Sequence, residues 1–294
     1  MRPDVTFYQI FSKDLSMTEQ NNSLKVGVYV DAAYVYKNGG RGMQYNILRE
    51  FACREGTQVI RLNAYVSFDA DRASDDMIFG ASAKKFHSFL RDLGYKVIIK
   101  EVKWFVDEET GQRFGKANAD MDLAVDLLIQ SEHLDKIVLV SGDGDFVKVV
   151  NAAQNRGCRV EVIAFDNVSG RLKEEADQYF SGYVIPNLLP TESEVPWGQI
   201  GSLVRGTCSY FNKEKGFGYL RYLKEISPYL WITDIQRPGS PYGMAYFRAA
   251  SLMNANGVDL PSYNHVFEFE LLPPQRDDQL PIASNVRLVS VIPY

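Results

Sequence analysis

Three cysteines and three histidines are all the thiol and imidazole ligands this 294-residue chain carries. Cys53, Cys158 and Cys208 lie far apart, and neither they nor the histidines fall at metal-binding spacing, which excludes a disulfide framework and a zinc centre and points to a reducing compartment. Also missing is any apolar run near the roughly 20 residues of a membrane span, or a basic-then-apolar leader. The chain is therefore expected to be cytoplasmic, with no membrane partner. There is no excess of positive charge, since the formal net charge is −5. Any nucleic-acid binding must then come from local patches and not from a whole-molecule field. A glycine-rich phosphate loop is lacking too, because Gly142-Asp143-Gly144 has neither the further glycine nor the spacing of one.

What the chain has is apolar and aromatic material for two cores, 46% and 13% of its residues respectively. Residues 1–24 show no sustained period and are expected as an arm. From 25 to 185 the pattern alternates. Apolar runs at 26–30, 57–68, 95–102, 136–140 and 159–164 read as strands. Between and after them, 43–54, 79–93, 119–132, 145–156 and 170–177 show helical spacing. This predicts an α/β domain with a mainly parallel sheet flanked by helices.

The chemistry-bearing stretch is Lys136-Ile-Val-Leu-Val-Ser141-Gly-Asp143-Gly-Asp145-Phe146. It reads as a buried strand emptying into a loop at the carboxyl edge of the sheet, where ligands of open α/β sheets bind. The plainer reading is an Asp-Gly turn with Asp145 capping the next helix. Asp31 follows the first strand in the same way, and Asp120 falls in the first turn of the 119–132 helix, where the helix dipole favours an anion. In ordinary α/β order these four carboxylates converge at one edge. Like charges that close need either raised pKa values or a cation. Ligation by oxygen alone selects Mg²⁺ or Mn²⁺, and such ions can activate water against a phosphodiester. Asp122 and Asp126, four apart on another helix face, read first as a solvated surface.

Val28-Tyr-Val-Asp31, the Lys116–Asp126 segment and Ser141-Gly-Asp-Gly-Asp-Phe146 resemble the successive motifs of the NYN family, in particular its LabA-like branch. The resemblance covers about residues 24–185 and implies the PIN-like nuclease fold, with clustered acids that bind metal in RNA-cleaving members. Asp31, Asp120, Asp143 and Asp145 are then the implied catalytic and metal-binding residues, with Ser141, Asp122 and Asp126 secondary. One position departs. Where the family has Asp-Gly-x-Asn, this chain has Asp31-Ala-Ala-Tyr34, leaving Tyr34 to orient water or phosphate, or the site to be inactive. Ala33 excludes a haloacid-type phosphatase, which needs a second aspartate there.

Three prolines in Pro186–Pro196 mark an expected linker at 186–198, and 199–294 reads as all-β. Gly206-Thr-Cys-Ser-Tyr-Phe-Asn-Lys-Glu-Lys-Gly-Phe-Gly-Tyr219 and Ala245-Tyr-Phe-Arg248 resemble the two aromatic motifs of a cold-shock domain, an OB-fold barrel, with an insertion at about 221–244. Strand alternation independently sets Phe217 beside Tyr219 and Tyr246 beside Arg248. Tyr210, Lys215, Phe217, Tyr219, Tyr246 and Arg248 are the expected nucleic-acid contacts by stacking and charge; packing against the first domain or a partner is the alternative use of such rings.

The whole predicts a metal-dependent ribonuclease on single-stranded RNA, with Mg²⁺ or Mn²⁺. An inactive RNA-binding or regulatory protein is the alternative and a DNA nuclease a third reading. A homodimer is compatible with all three.

Overall fold

The computed structural model describes residues 23–108, 110–254, 258–276 and 278–291; all but the last two residues of the expected arm lie outside them. In chain order the first half folds as β1 (Lys25–Asp31), α1 (Ala32–Lys37), α2 (Tyr45–Ala52), β2 (Gln58–Phe68), α3 (Ala70–Asp75), α4 (Met77–Asp92), β3 (Lys96–Glu101), the ribbon β4 (Lys103–Val106) and β5 (Arg113–Lys116), α5 (Ala119–Gln130), β6 (Lys136–Val140), α6 (Val147–Gln154), β7 (Arg159–Ala164), α7 (Gly170–Glu175) and β8 (Gln178–Ser181).

The six strands of the main sheet run in the order β3-β2-β1-β6-β7-β8, with every pairing parallel. Both faces are covered, so β6 is buried at every residue and reads as a continuous apolar run. Alternation divides the strands' side chains between two layers. Val28, Val30, Val138 and Val140 pack with Leu48, Phe51 and Leu90 from α2 and α4. Tyr29, Ile137 and Leu139 pack with Leu123, Leu127, Val147 and Val150 from α5 and α6. Gly94, at φ +88°, ends α4 in the left-handed conformation that a side chain resists. Three short elements escape the sequence pattern. α1 and α3 have only six residues each, fewer than two turns, and β8 only four, too short for a period to show.

β1 and β6 are neighbours, yet the chain leaves β1 towards β2 and β3 and leaves β6 towards β7 and β8. The crevice at the carboxyl ends of β1 and β6 is therefore the topological switch point, where open α/β sheets bind ligands.

The second half is a separate all-β sheet of β9 (Leu203–Asn212), β10 (Phe217–Leu223), β11 (Tyr242–Arg248), β12 (Leu252–Met253), β13 (Ser262–Leu272) and β14 (Ile282–Val291). Its order is β11-β10-β9-β13-β14-β12, and a parallel bridge between Tyr246 and Ile282 brings β11 back against β14. Its core holds Val204, Leu220, Phe247, Phe267 and Phe269.

The proline-rich stretch expected as a linker is packed on both sides. Leu188 and Leu189 are buried with the first core, and Trp197 is buried with the second, its indole N–H donating to the Leu223 carbonyl at 2.7 Å. Buried Arg205 of β9 donates to the carbonyls of Leu189 and Pro190 and pairs with Glu268 at 2.8 Å. The insertion takes part in this junction. Leu230 is buried with Ile185, Leu188 and Leu223, and accepts at its carbonyl from the Tyr242 hydroxyl at 3.0 Å. No helix among the described residues is long and apolar enough to cross a membrane.

Candidate active site and nucleic-acid interface

Asp31 closes β1 and opens α1. It is buried, at 5% exposure, and both carboxylate oxygens are held. Oδ1 accepts from the Tyr34 amide at 2.9 Å as the helix cap, and Oδ2 accepts from the Ser141 hydroxyl at 3.1 Å. Burial raises its pKa, the Tyr34 amide and the Ser141 hydroxyl oppose that, and the charge of Asp143 raises it further. Ser141 itself is fully buried at the end of β6 and accepts from the Asp143 amide at 3.2 Å. Across the switch point, one hydroxyl thus ties β1 to the β6 loop.

Asp143 is the cap of the short 3-10 turn that follows, accepting from the Asp145 amide at 2.9 Å. The capping role read for Asp145 therefore belongs to Asp143, and Asp145 stands exposed in the turn. Asp120 lies in the first turn of α5. Its pKa is pushed up to about 6, first by partial desolvation and then by the charges of Asp31, Asp143 and Asp145, with Lys37 opposing. The four carboxylates therefore share one electrostatic neighbourhood. Even so, among the described residues no three acidic, histidine or cysteine side chains close into a ready-made ligand group.

That arrangement fits Mg²⁺ or Mn²⁺ better than a caged ion. Mg²⁺ keeps several waters and is held by one or two carboxylates together with substrate phosphates. All the candidate ligand atoms are carboxylate oxygens, the hard donors that such ions take.

Asp122 and Asp126 turn away from this edge. Asp122 pairs with Lys100 of β3 at 2.9 Å, and Asp126 accepts from the Tyr65 hydroxyl at 2.9 Å. Both line a separate open cleft beside Lys96 and Ile98. Tyr34 is buried, and its hydroxyl is spent on backbone: it donates to the Asp166 carbonyl at 2.7 Å and accepts from the Phe165 amide at 3.1 Å. Its ring lies flat on Gly142, where an added Cβ would come within 2.3 Å of the phenol oxygen. The phenol thus takes a structural place between α1, the Ser141–Asp143 loop and the end of β7.

Asp166 and Lys37 are absent from the residues picked out by sequence. Asp166 joins four partners: its amide donates to the Asn38 carbonyl, its own carbonyl accepts from Tyr34, and its carboxylate accepts from Tyr183 at 2.9 Å and from Ser290 of β14 at 2.5 Å. The signal was available, since Asp166 follows a buried strand as Asp31 does. Lys37, the cation acting on Asp120, escapes with the short helix α1 that carries it.

On the second sheet the register sets Tyr219 between Tyr210 and Tyr246, and Phe217 opposite Arg248. Tyr210, Phe217, Tyr219 and Tyr246 form one ring cluster with centroids 5.8–6.1 Å apart. Tyr210 is 45% exposed, and Arg248 and Lys215 are exposed. Phe211 turns inward to stack on Phe247 at 5.7 Å. The same outer face of β10 continues through Arg221, which lies 4.0 Å over the Tyr242 ring. There it meets a cleft of about 220 Å³ shared with Phe180, Val184 and Ile185 of the first half.

A wholly parallel sheet with carboxylates gathered at its switch point defines an α/β domain of the PIN-like kind. The chain belongs to the NYN domain family, whose profile matches residues 25–188. It is similar to the low amplitude and bright protein LabA of Synechococcus elongatus, with 29% identity over 161 residues, 53% of this chain and 82% of the relative. A solved protein of unknown function from Vibrio parahaemolyticus shows 24% identity and a TM-score of 0.42, covering 55% of this chain and 94% of its own. Family membership supports a nuclease or RNA-related role.

Proposed function

We propose that the chain is a metal-dependent ribonuclease acting on single-stranded RNA, with phosphodiesters hydrolysed at the acidic edge and RNA captured on the ring face of the second sheet. The observation that carries this reading is the coupling of Asp120 to Asp31, Asp143 and Asp145 at the switch point. Beyond the caps that Asp31 and Asp143 form, carboxylates gathered there raise one another's proton affinity, a cost that a divalent cation removes. Asp31, Asp120 and Asp143 would hold Mg²⁺ or Mn²⁺, with Asp145 at the rim. Held there, such an ion would supply an activated water and neutralise charge on the phosphate. Asp31 is the fixed member, oriented by the Tyr34 amide and the Ser141 hydroxyl, while the more open Asp120 and Asp145 face incoming RNA.

The second sheet is read as a cold-shock-like OB-fold, supported by its ring cluster and by the bridge from β11 to β14. Stacking on such rings suits single strands of any sequence. The reducing, cytoplasmic setting is supported by three free cysteines. An RNA-binding protein without turnover is the second reading, favoured by Tyr34, whose hydroxyl is bound to backbone.

The two separate cleanly in one assay. Purified protein is incubated with labelled single-stranded RNA and Mn²⁺ or Mg²⁺ beside an Asp143→Asn variant. Metal-dependent cleavage by the parent alone is expected. Cleavage that persists unchanged in the variant removes the site assignment, and binding without cleavage by the parent leaves the second reading.

A further inference from the structure

The ribbon β4–β5 leaves the sheet at the carboxyl end of β3 and returns directly into α5, so that Asp120 follows its last residue by four positions. One side of the ribbon fastens it. The Trp104 indole N–H donates to Asp69 at 3.3 Å, its ring lies over Gly115, and the Arg113 guanidinium sits 5.4 Å from the ring centroid. The other side is bare. Register pairs Phe105 with Phe114 on that face, and Lys103, two residues before Phe105, shares it. The two phenylalanine rings stack at 5.8 Å and are still 47% and 49% exposed. In sequence the acids of the ribbon, Asp107, Glu108 and Glu109, are confined to the connection between its strands, where Asp107 accepts from the Thr110 amide and hydroxyl.

We propose that this face of β4–β5 is a second grip for single-stranded RNA, placing the strand against the acidic edge. The inference rests on the reading of that edge as a nuclease centre and gives it a substrate contact outside the ring face. Rings flanked by a lysine, here Lys103, on an exposed two-stranded face are what base stacking with phosphate neutralisation uses. A protein interface is the lesser fit, because lysine is depleted from interface cores. Continuity with Asp120 supplies the direction, since RNA stacked on Phe105 and Phe114 lies at the covalent doorstep of the site.

The test uses the full chain in EDTA, so that binding is read without cleavage, and a fluorescein-labelled oligouridylate of about 16 nucleotides, the upper end of a stacking site, carrying 4-thiouridine. The parent is expected to cross-link within residues 103–116. The double variant Phe105→Ala with Phe114→Ala is expected to lose that cross-link and bind about tenfold more weakly, in the range of one lost stack. Lys103→Gln should lower the slope of log affinity against log salt by about 0.7, one single-strand phosphate contact. Unchanged melting temperature identifies these as surface effects, and Lys103→Gln, which removes no ring, keeps the test valid if the double variant folds poorly.

Affinity within about twofold of the parent and no cross-link in the ribbon would overturn the proposal. So would a double variant that turns a dimeric parent monomeric while binding RNA normally, which assigns the face to a second copy. If the parent binds no RNA under any condition, the nuclease reading falls with it. If binding is lost only on replacing Phe217 and Tyr219, the ribbon proposal falls alone.

Discussion

The acidic edge and the ring face are built by opposite means. Asp31 is fixed from three directions, by the cap of α1, by Ser141 at the end of β6 and by the Tyr34–Asp166 tie behind it. The rings need none of this. Antiparallel register alone sets Tyr210, Phe217, Tyr219 and Tyr246 side by side, and among the described residues no hydrogen bond holds any of these rings in place. Charge chemistry demands atomic placement, because a carboxylate displaced by an ångström no longer serves its ion or water. Stacking tolerates sliding, since every base presents a π-face. The edge therefore relies on long-range ties and the face on local ones, which tells where substitutions should act.

The largest effect is expected at the edge. Asp31→Asn keeps the volume and, at its one remaining oxygen, the bond from the Tyr34 amide, and it reverses the Ser141 contact so that the side-chain amide donates. It also removes the charge, so cleavage should fall by about a hundredfold or more, beyond the 10–100-fold cost of losing an outer partner of a metal site. Single-turnover kinetics at saturating RNA would measure it, with RNA affinity unchanged. On the other region, Phe217→Ala with Tyr219→Ala should weaken RNA binding by about 1–3 kcal/mol per lost stack and leave the rate at saturation intact. If both substitutions changed rate and affinity alike, the division of labour would be wrong.

Smaller and more telling is the tie between the regions. Ser290→Ala removes the hydroxyl that β14 donates to Asp166. A hydrogen bond to a charged group contributes about 1.5–3 kcal/mol when buried, and calorimetry should show a lower melting temperature with ring-face affinity unaltered. Tyr34→Phe leaves the Phe165 amide without its acceptor and should cost about 1–3 kcal/mol. If cleavage declines in Tyr34→Phe while the fold survives, the phenol positions Asp31 as well as bracing the junction.

How far this could be read from the chain follows the same contrast. The core strands were legible because burial on both faces writes a continuous apolar run, as in β6. The ring face was legible because alternation with period two is a local signal. Asp31, Asp120 and Asp143 could be singled out since each stands at the end of a strand or in the first turn of a helix. The long-range ties were not. That Tyr34 reaches Phe165 and Asp166, more than 130 positions away, depends on which strands are neighbours. That Asp122 is claimed by Lys100 and Asp126 by Tyr65 depends on how α5 lies across β2 and β3. Which face of the ribbon β4–β5 would be fastened and which bare became visible only in the fold.

The smallest expected effect is a pH dependence that belongs to the edge alone. Asp31 and Asp120 both have raised pKa values, Asp120 at about 6. A carboxyl that binds its proton more tightly in the folded state stabilises the fold below the ordinary carboxylate pKa of about 4. That contribution is lost as pH rises through the folded value, so the metal-free protein should lose stability between about pH 4 and 6. A cation reverses the sign, because it needs the ionised forms and competes with the proton. The melting-temperature increment from Mn²⁺ should then grow from pH 5 to pH 7, and Asp120→Asn should abolish the increment while raising the melting temperature of the metal-free protein at pH 7. The substitution relieves repulsion among Asp31, Asp143 and Asp145, the mark of a site kept for function at the expense of stability. A metal-free protein destabilised by Asp120→Asn at pH 7 would mean that this carboxylate supports the fold, and the edge would then resemble the ring face in resting on local structure alone.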